Sequence, residues 1–493
     1  LTFVCFFPFS IKYFKITFSE GDCVSKPSPS LLSQVTQSGA QIVDFHFVDI
    51  LGQLHHKSIP ASNLEAVLQY GEGIDGSSIA GFQAIHESDM LLFPDKHAAH
   101  FLDPFTAIPT YVVLCSVKTP DGDDYEKDSR TIAQRAERYL VKTGIAEKSF
   151  WGPEAEFFIL NHLSFDQGAH FAHYLVDSEE GIWNSGKNGQ PNLGHRPGFK
   201  KGYFPSPPID SLHDIRSDMM LTLNRVGVQT EAHHHEVASG GQSEISIQYD
   251  SLLRMADKTV LYKYIVKNVA RRHGRTATFM PKILFGDNGS GMHTHISLWQ
   301  GGTPLFYEQG RYADLSEAAE YFIGGILRHT PALLAFVAPT TNSYKRLVPG
   351  FEAPINLVYS QRNRSAAIRI PMCSTPAAKR IEFRVPDPSC NPYLAFSAIL
   401  LAGIDGIQNK IKPPAPIDKN TYELPATDRL HLATLPRSLE RALELVDQDS
   451  TFLRKGGVFS KDFIQSYLAL KWLEVHEVGC RPHPQEFALY SHI

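Results

Sequence analysis

The sequence predicts an α+β fold with a mainly antiparallel sheet, and three observations carry that prediction. Short segments of polar and apolar alternation, the mark of half-buried strands, recur from Ile42-Val43-Asp44-Phe45-His46-Phe47-Val48 to Arg380-Ile381-Glu382-Phe383-Arg384. Helical stretches have readable ends: Asp214 to Val226 stops at Gly227, Leu252 to His273 at Gly274, Ser316 caps a run through Val337, and Asn391-Pro392 opens a helix to about Ile411. Strands and helices follow one another without a strict βαβ rhythm and without an internal repeat.

A chain of 493 residues, 43% hydrophobic, suits two or three domains, or one large domain with a smaller partner. Its formal net charge of −5 supplies no basic field, so neither nucleic acid nor an anionic membrane is expected as a partner. The six cysteines (Cys5, Cys23, Cys115, Cys373, Cys390 and Cys480) contain no CxxC and fit a reducing, cytoplasmic setting. Leu1 to Ile11 is apolar, begins without Met, is too short to span a bilayer and lacks a basic flank. Residues 1–36 are therefore expected to be a misassigned start or an unstructured leader, with Ser25 to Ser38 a linker or loose helix.

A first compact unit, 37–122, follows. Ile42 to Val48 and Gln53 to Ile59 read as paired strands, Asn63 as the cap of a helix Leu64 to Gln69, Gly73 to Ser78 as a loop, and Thr110 to Cys115 as a closing strand. The run Pro120-Asp121-Gly122-Asp123-Asp124 marks the boundary with a larger unit, 123–493, which opens on a helix capped by Asp128 or Ser129. Residues 163–202, rich in Gly, Asn and His, read as long loops.

The most informative stretch is Thr230 to Glu244, with three carboxylates and three imidazoles in fifteen residues. Related patterns occur at Glu154-Ala155-Glu156, His293-Thr294-His295-Ile296-Ser297 and Arg380-Ile381-Glu382-Phe383-Arg384, each placing polar side chains on one strand face. Carboxylate oxygens with one imidazole suit hard divalent ions such as Mg²⁺ or Mn²⁺, and the absence of HExxH leaves a zinc hydrolase unsupported. The glycine-dense turn Gly286-Asp287-Asn288-Gly289-Ser290-Gly291 lets a small polar ligand approach the backbone. Arg346, Arg362, Arg364, Arg369, Arg380 and Arg384 gather nearby and suit an anionic substrate with phosphates. Metal-binding carboxylates with arginines are the equipment of phosphoryl transfer, and no Walker A loop or kinase signature is present.

At these motifs, with Ile74-Asp75-Gly76-Ser77-Ser78 and Asn342-Ser343-Tyr344-Lys345-Arg346-Leu347-Val348-Pro349-Gly350, the chain resembles the type I bacterial glutamine synthetases of the adenylylation-regulated (beta) subclass. The resemblance runs from about Gln41 to Ile493. It implies a small N-terminal β-grasp domain, a large catalytic domain with a curved antiparallel sheet, and a homo-dodecamer of two hexamer rings with active sites between neighbours. It implies two divalent metal ions per site, Mg²⁺ or Mn²⁺, the first held by Glu156, Glu236 and Glu244, the second by Glu154, His293 and Glu382. ATP is then expected at Glu231, His295, Ser297, Arg364, Arg369 and Arg380. L-Glutamate is expected at Asn288, Gly289, His293, Arg346, Glu352 and Arg384. Asp75, Glu352 and Arg364 are the implied catalytic residues, and Tyr422 the residue modified by an adenylyltransferase. The chain departs from the family at Ala377, where a lysine beside the nucleotide is common; Lys379 stands two residues on. The same fold accommodates a γ-glutamyl-polyamine or amino-alcohol ligase, or a non-catalytic nitrogen-regulatory scaffold. The resemblance favours ammonium, since it implies a small anionic pocket formed by Asp75 and Glu352.

Overall fold

The computed structural model describes residues 30–96, 98–188, 192–425, 427 and 431–493. Most of the leader expected over 1–36, with Cys5 and Cys23, lies outside these residues. Its end does not: helix α1 (Leu31–Ser38) is capped by Ser30, whose hydroxyl accepts from the Ser33 amide, and it buries Leu31 and Val35. The Tyr111 hydroxyl donates to Gln34 at 3.2 Å, so the segment read as linker or loose helix packs on the first unit.

That unit is a six-stranded sheet in the order β2-β1-β6-β4-β3, with β5 paired to β6. Its strands are β1 (Ile42–Val48), β2 (Leu54–Pro60), β3 (Glu72–Asp75), β4 (Asp89–Pro94), β5 (Phe101–Leu102) and β6 (Thr110–Lys118). β1 and β6 are parallel and the remaining pairs antiparallel. Two local expectations need correction. Asn63 makes no capping bond, because a 3₁₀ turn (Ala61–Asn63) leads directly into α2 (Leu64–Tyr70) and places it in helical backbone. The stretch around Asp75, read as a loop, begins as edge strand β3 and ends in the 3₁₀ turn Gly76–Ser78, capped by Asp75 itself.

The larger unit is built on a ten-stranded sheet whose central path is β10 (Thr230–His235), β11 (Gln242–Ile247), β7 (Lys148–Leu160), β14 (Met292–Gln300), β18 (Ile381–Phe383), β17 (Ile368–Ile370) and β16 (Tyr359–Gln361). Short strands β12 (Asp250–Ser251) and β13 (Thr276–Thr278) pair with β7, and β15 (Thr303–Pro304) with β14. Only β16 and β17 run parallel in it, which meets the expectation of a mainly antiparallel sheet. Part of the stretch read as loops is a hairpin, β8 (His162–Gly168) and β9 (Phe171–Asp177), whose side chains are largely exposed. Leu163 and Phe165 alternate with His162, Ser164 and Asp166 as a strand does, a signal short enough to be hidden by the Gly, Asn and His around it.

Helices α3 (Ser129–Thr143), α4 (His213–Arg225) and α5 (Leu252–Arg272) pack on this sheet; α6 (Glu317–Val337) packs on α8 (Pro392–Gln408), which rests on α3 and α5, and the short α7 (Ser343–Arg346) brings Arg346 to the cavity described below. Asp128, not Ser129, caps α3. Arg130 locks the two units together: it bonds both oxygens of Asp257 on α5 at 2.9 Å and reaches Asp95 of the first unit at 2.6 Å. Asn391 at the start of α8 donates to the carbonyl of Asp49 at 3.0 Å. Such buried, bidentate contacts are geometrically selective.

Candidate active site

Strand register assembles the site. On β7, Glu154 and Glu156 are two apart and face one way. Across the sheet, Glu156 pairs with Glu244 of β11, and Glu244 with His234 of β10. In the other direction Glu154 pairs with His293 of β14, His295 with Glu382 of β18, and Glu382 with Arg369 of β17. Neighbouring strands lie about 4.8 Å apart, so this row of charged side chains converges on one face.

Two ligand-like groups result. His234, Glu236 and Glu244 bring donor atoms within 4.8 Å of one another, as do Glu154, His295 and Glu382. Glu156 adjoins the first group, with the His293 imidazole 4.0 Å away, and its second oxygen accepts from the Gly291 amide at 2.9 Å and from Gln242 at 3.0 Å. His295 lies 2.9 Å from Glu154 and His293 lies 3.4 Å from it. His295 thus offers a donor atom beside Glu154 and Glu382 and also lines the second cleft described below, while His293, which the sequence reading placed with the two carboxylates, lines one cavity with both.

The two groups differ electrostatically. Burial, then the charges of Glu236 and Glu244, pushes the Glu156 carboxyl well above the usual range. Burial and Glu244 push Glu236 up to about 7. At Glu154 burial works the same way, but hydrogen bonds from His293 and His295 outweigh it and hold the group well below the carboxylate range. Glu382 is fully buried yet also lowered, because Arg384, 2.5 Å away, and the two histidines outweigh the burial. Arg369 contacts its other oxygen. His293 is lowered to about 4, by burial and then by Arg384. The donor set of carboxylate oxygens with single imidazoles fits hard divalent cations, and the crowded anions of the first group favour such a charge.

Asn288, Gly289, Arg346, Arg364, Arg369, Arg384 and Glu352 line the same cavity of about 140 Å³. Arg346 is fixed by bonds to the carbonyls of Val385 (2.9 Å) and Arg384 (3.1 Å). Gly291 is required beside it, since a Cβ there would lie 2.6 Å from the Arg346 guanidinium. A second cleft, of about 480 Å³, is lined by Glu231, His295, Ser297, Arg380 and the aromatic rings of Phe150, Tyr249 and Trp299. Glu154 belongs to both and joins them. Ala377 and Lys379 also line this cleft, but the Lys379 ammonium donates to the Ala313 carbonyl at 2.6 Å and is already engaged.

Glu352 has a left-handed backbone, φ 57°, in the loop Pro349 to Ala353. The loop is held at several points: Lys200 donates to Gly350 at 2.8 Å, Lys200 and Lys282 each lie 4.0 Å from the Phe351 ring, and Tyr422 donates to Ala353 at 2.5 Å. Burial pushes the half-buried Tyr422 hydroxyl up to about 12. Asp75 is not gathered with the rest. It is exposed at the edge of the other sheet, its carboxylate accepting from Ser77 and Ser78. His234 and Gln242 line the cavity and Lys200 and Lys282 touch the loop over it, and the sequence reading named none of them; for His234 the signal was its place in the run His233-His234-His235, which only the register with Glu244 resolves.

Comparison with known proteins decides the family. The family model described as "Glutamine synthetase, catalytic domain" matches residues 126–490, and "Glutamine synthetase, beta-Grasp domain" matches 39–120. This chain belongs to the glutamine synthetase family. It is 52% identical over 468 residues to the glutamine synthetase of Frankia alni, covering 94% of this chain and 98% of that one. The glutamine synthetase of Nostoc sp. is 51% identical over 467 residues, with 93% and 98% covered. Among solved structures, Plasmodium falciparum glutamine synthetase superposes with a TM-score of 0.85 at 30% identity, covering 92% of this chain and 96% of that one. A complex of GmaS with ADP superposes at 0.77, with 27% identity and 94% and 99% covered. The small first sheet is therefore the family's β-grasp domain, and the ten-stranded sheet its catalytic domain. Glutamine synthetases are ligases that form glutamine from glutamate and ammonia with ATP, and they use divalent metals. Among the described residues no helix is long and apolar enough to cross a membrane.

Proposed function

We propose that this cytoplasmic ligase makes glutamine in two steps within the joined clefts. The supporting observation is the shared lining by Glu154, which puts a nucleotide-sized cleft next to an arginine-lined cavity. ATP occupies the aromatic cleft beside Glu231, His295, Ser297 and Arg380; the likeness to an ADP-bound solved relative supports a nucleotide on this fold. L-Glutamate sits in the smaller cavity, held by Asn288, Gly289, Arg346 and Arg384. Its γ-carboxylate attacks the γ-phosphorus, giving γ-glutamyl phosphate and ADP, while Arg364 and Arg369 hold the phosphate oxygens.

Glu156, Glu236 and Glu244, with His234, would hold one Mg²⁺ or Mn²⁺ ion, and Glu154 and Glu382 with His293 or His295 the other. When bound, such ions screen the repulsion between two anionic reactants. Glu352 closes over the acyl phosphate and excludes water. Asp75 takes a proton from ammonium so that the free amine can displace phosphate.

Asp75 stands apart from this cluster within one chain, which supports its delivery to a neighbour's site in a homo-dodecamer of two hexamer rings. Tyr422 is the proposed target of an adenylyltransferase. AMP on its hydroxyl would break the bond to Ala353 and release the Glu352 loop.

The test is product formation from ATP, glutamate and Mg²⁺ with ammonium, putrescine or ethanolamine as the amine. Glutamine with ammonium alone is expected; product with the larger amines alone would transfer the function to an amine ligase on the same fold. Asp75→Asn is expected to lower ammonium-dependent turnover about 100-fold with the KM for ATP unchanged. Mixing inactive Asp75→Asn and Glu382→Gln chains before assembly should restore part of the activity, and no restoration would refute a shared site.

A further inference from the structure

A second cluster of ligating side chains lies in the β-grasp sheet. Asp44 and His46 are two apart on β1 and so share a face, while β2 brings His56 opposite His46 and Ser58 opposite Asp44. The His46 Nε2 atom is 2.9 Å from Asp44 Oδ2, and His56 Nδ1 is 2.9 Å from Oδ1 and 3.1 Å from Oδ2. We infer that Asp44, His46 and His56 form a binding site for a zinc-class divalent transition ion, separate from the catalytic carboxylates.

The geometry fits such an ion. One donor atom from each residue lies within 4.8 Å of the others. Tetrahedral bonds of about 2.0–2.1 Å set ligand atoms about 3.3 Å apart, close to the separations of both imidazoles from Asp44. Two imidazoles and one carboxylate suit Zn²⁺ and its neighbours, whereas the catalytic groups, richer in carboxylate, suit harder ions.

The surroundings orient the ligands as outer partners do in metal sites. Ser58 donates to Asp44 Oδ1 at 2.5 Å. The Tyr264 ring meets His46 edge-on at 5.5 Å, and Tyr264 is itself tied to Asp103 at 2.7 Å. Asp44 and His46 are buried, with 7% and 4% of their surfaces exposed. Among the described residues, the recorded ion-pair partners of Asp44 are only His46 and His56, with no lysine or arginine. A buried carboxylate whose ion-pair partners are imidazoles has room in its charge balance for a dication. His56 is exposed, which gives an entry path and an open side where water can complete the coordination. Because Tyr264 belongs to α5, an ion here would brace the β1–β2 hairpin against the catalytic domain.

The competing account is a plain hydrogen-bonded triad, with a proton where the ion would sit. Equilibrium dialysis of the full chain against Co²⁺, in excess Mg²⁺ to occupy the catalytic carboxylates, separates the two. The wild type is expected to retain one Co²⁺ per chain that His56→Ala binds at least 10-fold more weakly, with the visible absorption of that ion lost as well. Glu236→Gln should keep this equivalent, which distinguishes it from the catalytic sites. His56→Gln serves as a second variant should the alanine fail to fold. Equal Co²⁺ stoichiometry and spectra in wild type and His56 variants would overturn the inference.

Discussion

The two ligand groups of the active site are built from similar side chains on one sheet face, yet their charges are handled in opposite ways. Around Glu382, guanidinium groups of Arg369 and Arg384 and the imidazole of His295 already balance the carboxylates. Around Glu236, three carboxylates crowd a single histidine, 3.5 Å from Glu236 and 3.7 Å from Glu244, and two of them are pushed upward by burial and by one another. In one group the partners outweigh burial and keep the carboxylates charged; in the other burial and mutual repulsion raise the carboxyls, and a proton or a dication would relieve them.

The comparison breaks most clearly at Glu382. Glu382→Gln leaves Arg384 and Arg369 beside a neutral amide in a buried site, so in chelator the protein is expected to lose about 3–5 kcal/mol of stability. Denaturant unfolding checks this, and glutamine formation should be abolished in the same variant. The opposite sign is expected for Glu236→Gln. Removing one of three crowded carboxylates should stabilise the chelator-treated protein by about 1–3 kcal/mol while lowering turnover at least 100-fold. Added Mg²⁺ should raise the melting temperature of the wild type well above that of the variant; parallel shifts in both would contradict the contrast.

How much of this was legible in the sequence follows from the same physics. Polar residues spaced two apart between apolar ones located β7, β11, β14 and β18 and their inward faces, because strand alternation is a local property. Register is not local. Which histidine meets which carboxylate depends on pairings such as His295 with Glu382 and His234 with Glu244, so the closeness of His295 to Glu382 and the place of His234 beside Glu244 could not be read locally. The first correction in the fold has a related cause: Asn63 is a good capping residue by type, but the 3₁₀ turn before it uses helical backbone at that position. The pins on the Glu352 loop were also unreadable, since Lys200, Lys282 and Tyr422 are far apart in sequence and come together only at Gly350, Phe351 and Ala353.

Those pins hold a loop that lines one cavity with the crowded group, and they give a smaller effect. Tyr422→Phe removes the hydroxyl that holds Ala353, a loss of about 1 kcal/mol that should loosen the loop without altering either ligand group. Glutamine formed per ADP released is expected to fall about five-fold as γ-glutamyl phosphate is lost to water, with the KM for ATP unchanged. An unchanged ratio would mean that Tyr422 does not position the loop.

A carboxylate outside the site sharpens the comparison further, because it is buried with neither a metal group nor a directly paired guanidinium. Asp128 caps α3 by accepting from the Thr131 amide at 2.9 Å and the Thr131 hydroxyl at 2.7 Å, and burial still pushes it up to about 6. A raised carboxyl favours the protonated folded state, so its contribution to stability is complete below the unfolded value of 3.8 and is lost as pH rises through about 6. Asp128→Asn keeps the cap and removes this loss. Thermal unfolding should therefore show the variant about 1 kcal/mol more stable than wild type at pH 7–8, after allowing for its unpaired amide hydrogens, with the advantage gone near pH 4. A constant difference across that range would show that the Thr131 hydrogen bonds, and not burial, set the charge of Asp128, and would place it with Glu382 among the carboxylates whose partners outweigh their burial.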